Sequence, residues 1–198
     1  MNVFDFDNTL YRGESSVDLA LYMVKTNKKI ILYLPKIFYN LLKYKLCIVD
    51  KRKTVAAIND FMRHALSGKE ELLGAVEGFW ATHRHKLNMD MLKLIGSDDV
   101  IITAGPDFLI KAIQNELHTT HLLCSVIDTD RMAVRYLNFG SNKANAFRNT
   151  FGSRKIDCFY TDSYNDKALM DIADKVYIVR NGVPRLLRRN ERPCRQEQ

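Results

Sequence analysis

Two carboxylates near the start of the sequence have the spacing that most directly suggests chemistry. Asp5 and Asp7 lie in the apolar run Val3–Phe6 and just after it. Residues i and i+2 of a β-strand point to the same side, so at a strand end both carboxylates would project into one site. Their mutual repulsion calls for a proton or a cation between them, and Mg2+ prefers oxygen ligands. One carboxylate could then be a nucleophile and the other a general acid and base. The alternative, an acidic pair at a loop edge, does not explain the apolar residues around it.

Further polar residues follow strand-like segments later in the chain. The run Val100–Ile102 leads into Thr103-Ala104-Gly105, and a helix is predicted after it. A hydroxyl group and free backbone N–H groups at such a turn form a suitable seat for phosphate, although strands often end in Thr and Gly. Lys143 begins another predicted helix, and the strand Ile156–Thr161 runs into the acidic turn 162–166.

The order of these segments resembles the four motifs of the haloacid dehalogenase-like superfamily, whose members are mostly Mg2+-dependent phosphatases. Residues 5–9 match motif I (Asp-x-Asp-x-Thr), Thr103 matches motif II, Lys143 motif III and residues 162–166 motif IV. Thr161 stands where motif IV commonly has Gly. The resemblance covers essentially the whole chain and is strongest to the phosphoserine phosphatase-like branch.

The resemblance implies a role for each motif residue. Asp5 would form an aspartyl-phosphate, Asp7 would be the general acid and base, and Lys143 would neutralise the phosphoryl group. Asp162 would bind Mg2+ together with Asp5 and the backbone carbonyl of Asp7, while Asp166 would hold Lys143 or a water ligand of the metal. The full predicted site comprises the catalytic residues Asp5, Asp7, Thr103 and Lys143, the phosphate- or substrate-binding residues Ala104, Gly105, Asn165 and Glu14, and the metal-binding residues Asp5, Asp7, Asp162 and Asp166.

Two of these residues have simpler interpretations. Asp162 precedes a helix and could be only a helix cap. Lys143 is one lysine among many, and its position in the order of motifs is what distinguishes it.

Alternating strands and helices predict an α/β fold with a doubly wound parallel sheet, in which ligands bind at the carboxyl ends of the strands. Asp5 and Thr103 are 98 residues apart, too far for one helical crossover. We therefore predict a Rossmann-like core at residues 1–11 and 96–184 and an inserted helical cap at 12–95. Ser15 or Ser16 would cap the first cap helix, and residues 185–198 would be a frayed basic tail.

The net charge of +7 is unevenly distributed. Residues 25–53 contain nine Lys and Arg against one acid, a charge of +8, and residues 180–198 carry +4, which leaves −5 for the rest. Such a distribution can attract anionic substrates or surfaces. The apolar stretch 30–46 contains Pro35 and three lysines, which argues against a transmembrane span. It is either a cap helix or, within the basic segment 25–53, a peripheral membrane contact.

Other classes of protein are not favoured. The sequence has no zinc-finger spacing and no aromatic RNA-binding signature, so we expect no nucleic acid partner. Its four cysteines form no Cys-x-x-Cys pair and its five histidines no metal-binding pattern. We expect a cytoplasmic protein, possible membrane contact aside; the sequence leaves its oligomeric state open.

The predicted activity is Mg2+-dependent hydrolysis of a phosphomonoester. The substrate is either a small phosphorylated metabolite such as phosphoserine or a polar lipid phosphate such as phosphatidylglycerophosphate. A phosphotransferase such as a phosphomutase uses the same pair of Asp residues, and a catalytically silent binding module could share the fold. A dehalogenase is disfavoured because that activity lacks the second acid of motif I, present here as Asp7.

Overall fold

One mixed sheet organises the computed structural model, which describes residues 1–25, 27–33, 35–36, 39 and 51–190. Its strands are β1 (Val3–Phe4), β2 (Val100–Pro106), β3 (His121–Asp128), β4 (Ala133–Tyr136), β5 (Ile156–Thr161), β6 (Ala173–Arg180) and β7 (Val183–Arg189). They lie in the order β4-β3-β2-β1-β5-β6-β7. The five central strands are parallel, and β4 and β7 are antiparallel edge strands. The predicted α/β fold with a doubly wound parallel sheet is confirmed.

Helices occupy both faces of this sheet and the long connection between β1 and β2. They are α1 (Ser15–Val24), α2 (Lys51–Ala65), α3 (Lys69–His83), α4 (Met89–Leu92), α5 (Asp107–Lys111), α6 (Ser141–Phe151) and α7 (Lys167–Met170). Residues 30–33 are also helical. The described residues of the connection between β1 and β2 are therefore largely helical, and the inserted cap with its boundaries stays a prediction.

The predicted capping of the first helix was wrong. Helix α1 already includes Ser15 and Ser16, and the residue at its N-cap position, Glu14, makes no capping hydrogen bond with its side chain. Instead, Asp7 accepts a hydrogen bond from the Ser15 N–H. A carboxylate outside the helix thus satisfies a free N–H group of the first turn, which a local sequence pattern does not reveal.

Two hydrophobic cores lie on opposite faces of the sheet. Neighbouring strand residues alternate between them, since Val3 belongs to one core and Phe4 to the other. The core that contains Phe4 also includes Phe79 and Trp80 of α3. The inserted helices therefore pack directly on the sheet beside motif I.

The predicted frayed tail was wrong for residues 185–189, which belong to β7. Asn181 and Gly182 form the preceding turn with positive φ angles of 52° and 79°, and Leu186 pairs with Tyr177 of β6. The arginines of this segment do not prevent strand formation, because backbone groups make the ladder and charged side chains are common on edge strands. Residues 191–198 lie outside the described residues.

The predicted membrane contact at residues 25–53 falls largely on positions outside the described residues, which include 40–50 and several positions before them. Among the helices that the structure does describe, none is long and apolar enough to cross a bilayer.

Candidate active site

The predicted motifs converge at the carboxyl edge of the parallel strands. Asp5 directly follows β1, Thr103 is the central residue of β2, and Asp162 directly follows β5. Lys143 lies in the first turn of α6. These positions form the edge at which ligands bind in open α/β sheets.

A buried ion-pair network lies at the centre of this edge. The Lys143 Nζ donates to Asp5 Oδ1 at 3.0 Å and to Asp166 Oδ2 at 2.9 Å. All three residues are buried, with exposed fractions of 4%, 6% and 3%. Burial raises the pKa of Asp5 well above its ordinary value; Lys143 lowers it, and Asp166 raises it. Burial alone would lower the pKa of Lys143, but the two carboxylates raise it, so this lysine is charged.

The two oxygens of Asp5 have different surroundings. Oδ1 accepts hydrogen bonds from the Phe6 N–H at 2.8 Å and from Lys143. Oδ2 has only a long contact of 3.4 Å, with the Thr161 hydroxyl, among the described residues. One carboxylate oxygen is thus held firmly while the other remains available for a further partner.

Thr161 is a site residue that the sequence interpretation missed. Its hydroxyl lies 3.1 Å from Asp166 Oδ2 as well as 3.4 Å from Asp5 Oδ2. A hydroxyl has a single proton, so it can donate to one of these acids at a time. In the sequence this position differs from the usual Gly of motif IV, and a hydroxyl residue at a strand end beside an acid is the signal that could have revealed its role.

Asp7 is held by the start of a helix. Its Oδ1 accepts from the Ser15 N–H at 2.7 Å, and the positive end of a helix dipole favours a carboxylate there. Burial nevertheless raises the pKa of Asp7 to about 6; the Ser15 bond lowers it and the charge of Glu14 raises it. Glu14 thus lies near Asp7, and it accepts a hydrogen bond from Asn8 Nδ2 at 3.1 Å. A carboxyl that titrates near neutral pH can both give and take a proton.

The predicted turn at Thr103-Ala104-Gly105, with free N–H groups for phosphate, was wrong, because these residues lie within β2. The buried Thr103 hydroxyl accepts from the Gly105 N–H at 2.9 Å. Two side chains that sequence analysis missed support this segment from the neighbouring strand and loop: Ser125 donates to the Ala104 carbonyl at 2.7 Å, and Asn138 donates to the Thr103 carbonyl at 3.1 Å. No local sequence pattern connects these residues.

The remaining motif residues lie in the turn after β5. The Asp162 carbonyl accepts from Arg180 at 2.7 Å, and the Asp162 charge raises the pKa of Asp5, which indicates that the two carboxylates are close. Asn165 is exposed, and its N–H donates to Ser163 Oγ at 3.1 Å. Asp166 contacts Lys143, one of the two arrangements predicted for it.

The donor set fits a hard divalent cation. Three carboxylates, those of Asp5, Asp162 and Asp166, lie near the single ammonium group of Lys143. Asp5 Oδ2 accepts only one long hydrogen bond among the described residues. Among the described residues, no three His, Cys, Asp or Glu side chains form a complete metal cluster. Mg2+ does not require one, because it is typically bound by one or two carboxylates, with water completing its shell.

Solved structures share this fold. A protein of unknown function from Bordetella pertussis Tohama I matches with a TM-score of 0.73 at 16% identity over 89% of this chain and 87% of that one. A phosphoserine phosphohydrolase-like protein from Francisella tularensis subsp. tularensis SCHU S4 has a TM-score of 0.53 at 20% identity. The match covers 89% of this chain and 86% of that one. A phosphoserine phosphatase carrying an analogue of its phospho-aspartyl intermediate has a TM-score of 0.56 at 15% identity. The match covers 88% of this chain and 83% of that one.

Sequence comparison is more specific about the family. No curated protein matches the chain. The family model described as haloacid dehalogenase-like hydrolase matches residues 3–171, which include all four motifs. The chain therefore belongs to the haloacid dehalogenase-like hydrolase family, as its motifs predicted.

Proposed function

We propose that this protein is a Mg2+-dependent phosphatase that hydrolyses a phosphomonoester through an aspartyl-phosphate on Asp5. The observation that carries the proposal is the buried contact of Lys143 with Asp5 and Asp166 at the carboxyl edge of the sheet. A buried cation beside a carboxylate stabilises the anionic form that a nucleophile needs. Family membership supports the same hydrolytic chemistry.

In the first step an oxygen of Asp5 attacks phosphorus and the bond to the leaving alcohol breaks. Asp7 gives its proton to that alcohol, which its pKa of about 6 permits near neutral pH. In the second step Asp7 takes a proton from water as the water attacks phosphorus. This step releases phosphate and regenerates the Asp5 carboxylate. Lys143 offsets negative charge beside Asp5 throughout.

The carboxylates of Asp5 and Asp162 and the backbone carbonyl of Asp7 would hold Mg2+ in this proposal. When bound, the ion would neutralise phosphate charge so that an anionic nucleophile can approach. Thr161 and Asp166 would keep Lys143 and Asp5 in position.

A small phosphorylated metabolite is the substrate class that we propose. Structures described as phosphoserine phosphatase support it through their shared fold, including one described as a substrate-bound complex with a TM-score of 0.54 at 13% identity. Phosphoserine is therefore the first compound to test. The polar lipid phosphate and the cytoplasmic location stay predictions from the sequence.

Phosphate release in the presence of Mg2+ tests the proposed activity. The panel comprises phosphoserine, sugar phosphates, nucleotides and phosphatidylglycerophosphate in detergent, with Asp5→Asn as the matched control. We expect release from at least one compound and none from the variant. A folded Asp5→Asn protein with full activity would contradict the role of Asp5, and a strict requirement for a sugar bisphosphate would indicate a phosphomutase.

A further inference from the structure

A cavity of about 720 Å3 lies beside Asp162, between the loop after motif I and the turn that joins β6 to β7. Arg12 lines it from the first of these segments and Arg180 from the second. Neither arginine belongs to the motifs described above. The cavity borders the proposed metal ligand Asp162, so a group bound in it would lie next to the reaction centre.

A buried asparagine holds the two walls of this cavity together. Asn88 is 2% exposed, and its Nδ2 donates to the Thr9 carbonyl at 3.3 Å and to the Gly182 carbonyl at 2.9 Å. Gly182 has a φ of +79°, and a Cβ there would lie 3.0 Å from Asn88 Nδ2. The turn can therefore approach Asn88 closely because Gly182 has no side chain. Both walls of the cavity thus have a defined position.

The polar groups of the cavity are suited to an anion. The exposed Arg12 guanidinium makes no hydrogen bond or ion pair with any residue that the structure describes. Arg180 uses one N–H group on the Asp162 carbonyl at 2.7 Å, and a guanidinium has five such donors. The Thr9 hydroxyl is buried without a partner among the described residues. Two arginines thus line the cavity, and Asp162 is the one acidic residue among its described lining residues.

We propose that Arg12 and Arg180 form a subsite for a second anionic group on the alcohol part of the substrate. This inference rests on the proposed function and narrows its substrates to phosphomonoesters whose leaving alcohol carries another oxyanion, either a carboxylate or a phosphodiester. Guanidinium groups bind both oxyanions through paired hydrogen bonds. Phosphoserine carries the first kind of group and phosphatidylglycerophosphate the second, so one subsite serves both substrates named above.

Calorimetric binding of non-hydrolysable phosphonates tests the subsite. With Mg2+ present, phosphonopropionate is compared with propylphosphonate, which lacks the carboxylate; a second pair of phosphonates differs by a phosphodiester. We expect the wild-type protein to bind the doubly anionic member of at least one pair about tenfold more tightly, from the usual strength of hydrogen bonds between charged groups. The pair that shows the preference identifies which oxyanion the subsite binds.

Arg12→Gln should reduce that preference to within about twofold, while Arg12→Lys should restore part of it. Arg154→Gln is the matched control, because Arg154 is an exposed arginine just before β5, at the opposite edge of the sheet. Arg12 is the better test position, since Arg180 also bonds the backbone of Asp162. Circular dichroism confirms that each variant is folded.

Absence of any preference in the wild-type protein, or its full retention in Arg12→Gln, would overturn the subsite. Binding needs no turnover, so these results are independent of catalysis. If no substrate in the panel releases phosphate, the proposed activity fails while the binding result still decides the subsite.

Discussion

At the scale of single residues, Lys143 contributes both to the stability of the fold and to the proposed reaction. It is the buried cation that contacts both Asp5 and Asp166. Removing one partner of a buried ion pair leaves an uncompensated charge, which costs more than the loss of a surface pair. We therefore expect stability and activity to depend on the same side chain.

Lys143→Met should abolish activity and lower the free energy of unfolding by about 3–5 kcal/mol at pH 7. The loss should shrink at lower pH, because protonation removes the charge of the stranded carboxylates. Urea unfolding at several pH values measures both effects. Lys111→Met is the control, since Lys111 pairs with Asp107 at the surface, and it should cost less than about 1 kcal/mol.

The position of Asp7 disfavours the charged form that an aspartate ordinarily has near neutral pH. Burial raises its pKa from 3.8 to about 6. Below pH 3.8 the carboxyl is protonated in both the folded and the unfolded protein, so its burial does not lower the free energy of unfolding. Between these pH values the unfolded state loses the proton first, and the folded state is progressively disfavoured. Above about pH 6 the carboxyl is ionised in both states, so the loss in the free energy of unfolding no longer changes with pH.

Asp7→Asn should therefore stabilise the metal-free protein while impairing turnover. The gain in the free energy of unfolding should grow from about pH 4 to about pH 6 and then level off at no more than roughly 3 kcal/mol, which is the free energy that corresponds to the rise in pKa. Chemical denaturation in a chelating buffer from pH 4 to pH 8 checks this. A gain that is independent of pH would show that the carboxyl does not titrate as described.

At the scale of elements, α3 joins the inserted helices to the sheet. Trp80 Nε1 donates to the Leu109 carbonyl of α5 at 2.8 Å. The same indole packs edge-on against Phe6 and Tyr11, which flank the catalytic loop. One aromatic residue thus connects three segments that are far apart in the sequence.

Trp80→Phe should lower the free energy of unfolding by about 1–3 kcal/mol, because the Leu109 carbonyl loses its buried donor and the smaller ring leaves space. Circular dichroism is the suitable probe, since the chain has one Trp. Leu73→Ala, on the same helix but 41% exposed, should change stability by no more than about 0.5 kcal/mol. Equal effects of the two variants would argue against a special role for the indole.

At the scale of the whole molecule, charge is separated along the chain. Residues 25–53 and 180–198 carry the positive excess, whereas the carboxylates of Asp5, Asp162 and Asp166 lie near one another at the carboxyl edge of the parallel strands. A cation that binds there only in the folded state must stabilise the whole protein by mass action.

Mg2+ should therefore raise the melting temperature, with a stabilisation of about 2.7 kcal/mol when the free ion is at a hundred times its dissociation constant. Asp162→Asn should largely remove this response. The control Asp90→Asn changes an exposed surface acid that pairs with Lys93 and should leave the response intact. Thermal unfolding with and without Mg2+ measures it; an unresponsive wild-type protein would contradict the proposed metal site.

The sequence by itself was sufficient for the α/β fold and the family, which family motifs in the right order indicated. These depend on local signals: two acids after an apolar strand, a hydroxyl residue in a β-branched run, and an acidic turn before a helix. The order of such segments predicted the parallel sheet because each motif follows or adjoins its own strand.

The family resemblance left two partners open for Asp166, and only the tertiary structure decided that it meets Lys143. Lys143 is 138 positions from Asp5 and 23 from Asp166, and no local pattern specifies both contacts. The supporting roles of Thr161 and Asn88 likewise depend on how neighbouring strands pack. The arginine-rich segment after Gly182 became a strand because hydrogen bonds to β6 come from the backbone, and side-chain charge does not report them. Long-range contacts arise from packing of the whole chain, and local sequence spacing does not encode that packing.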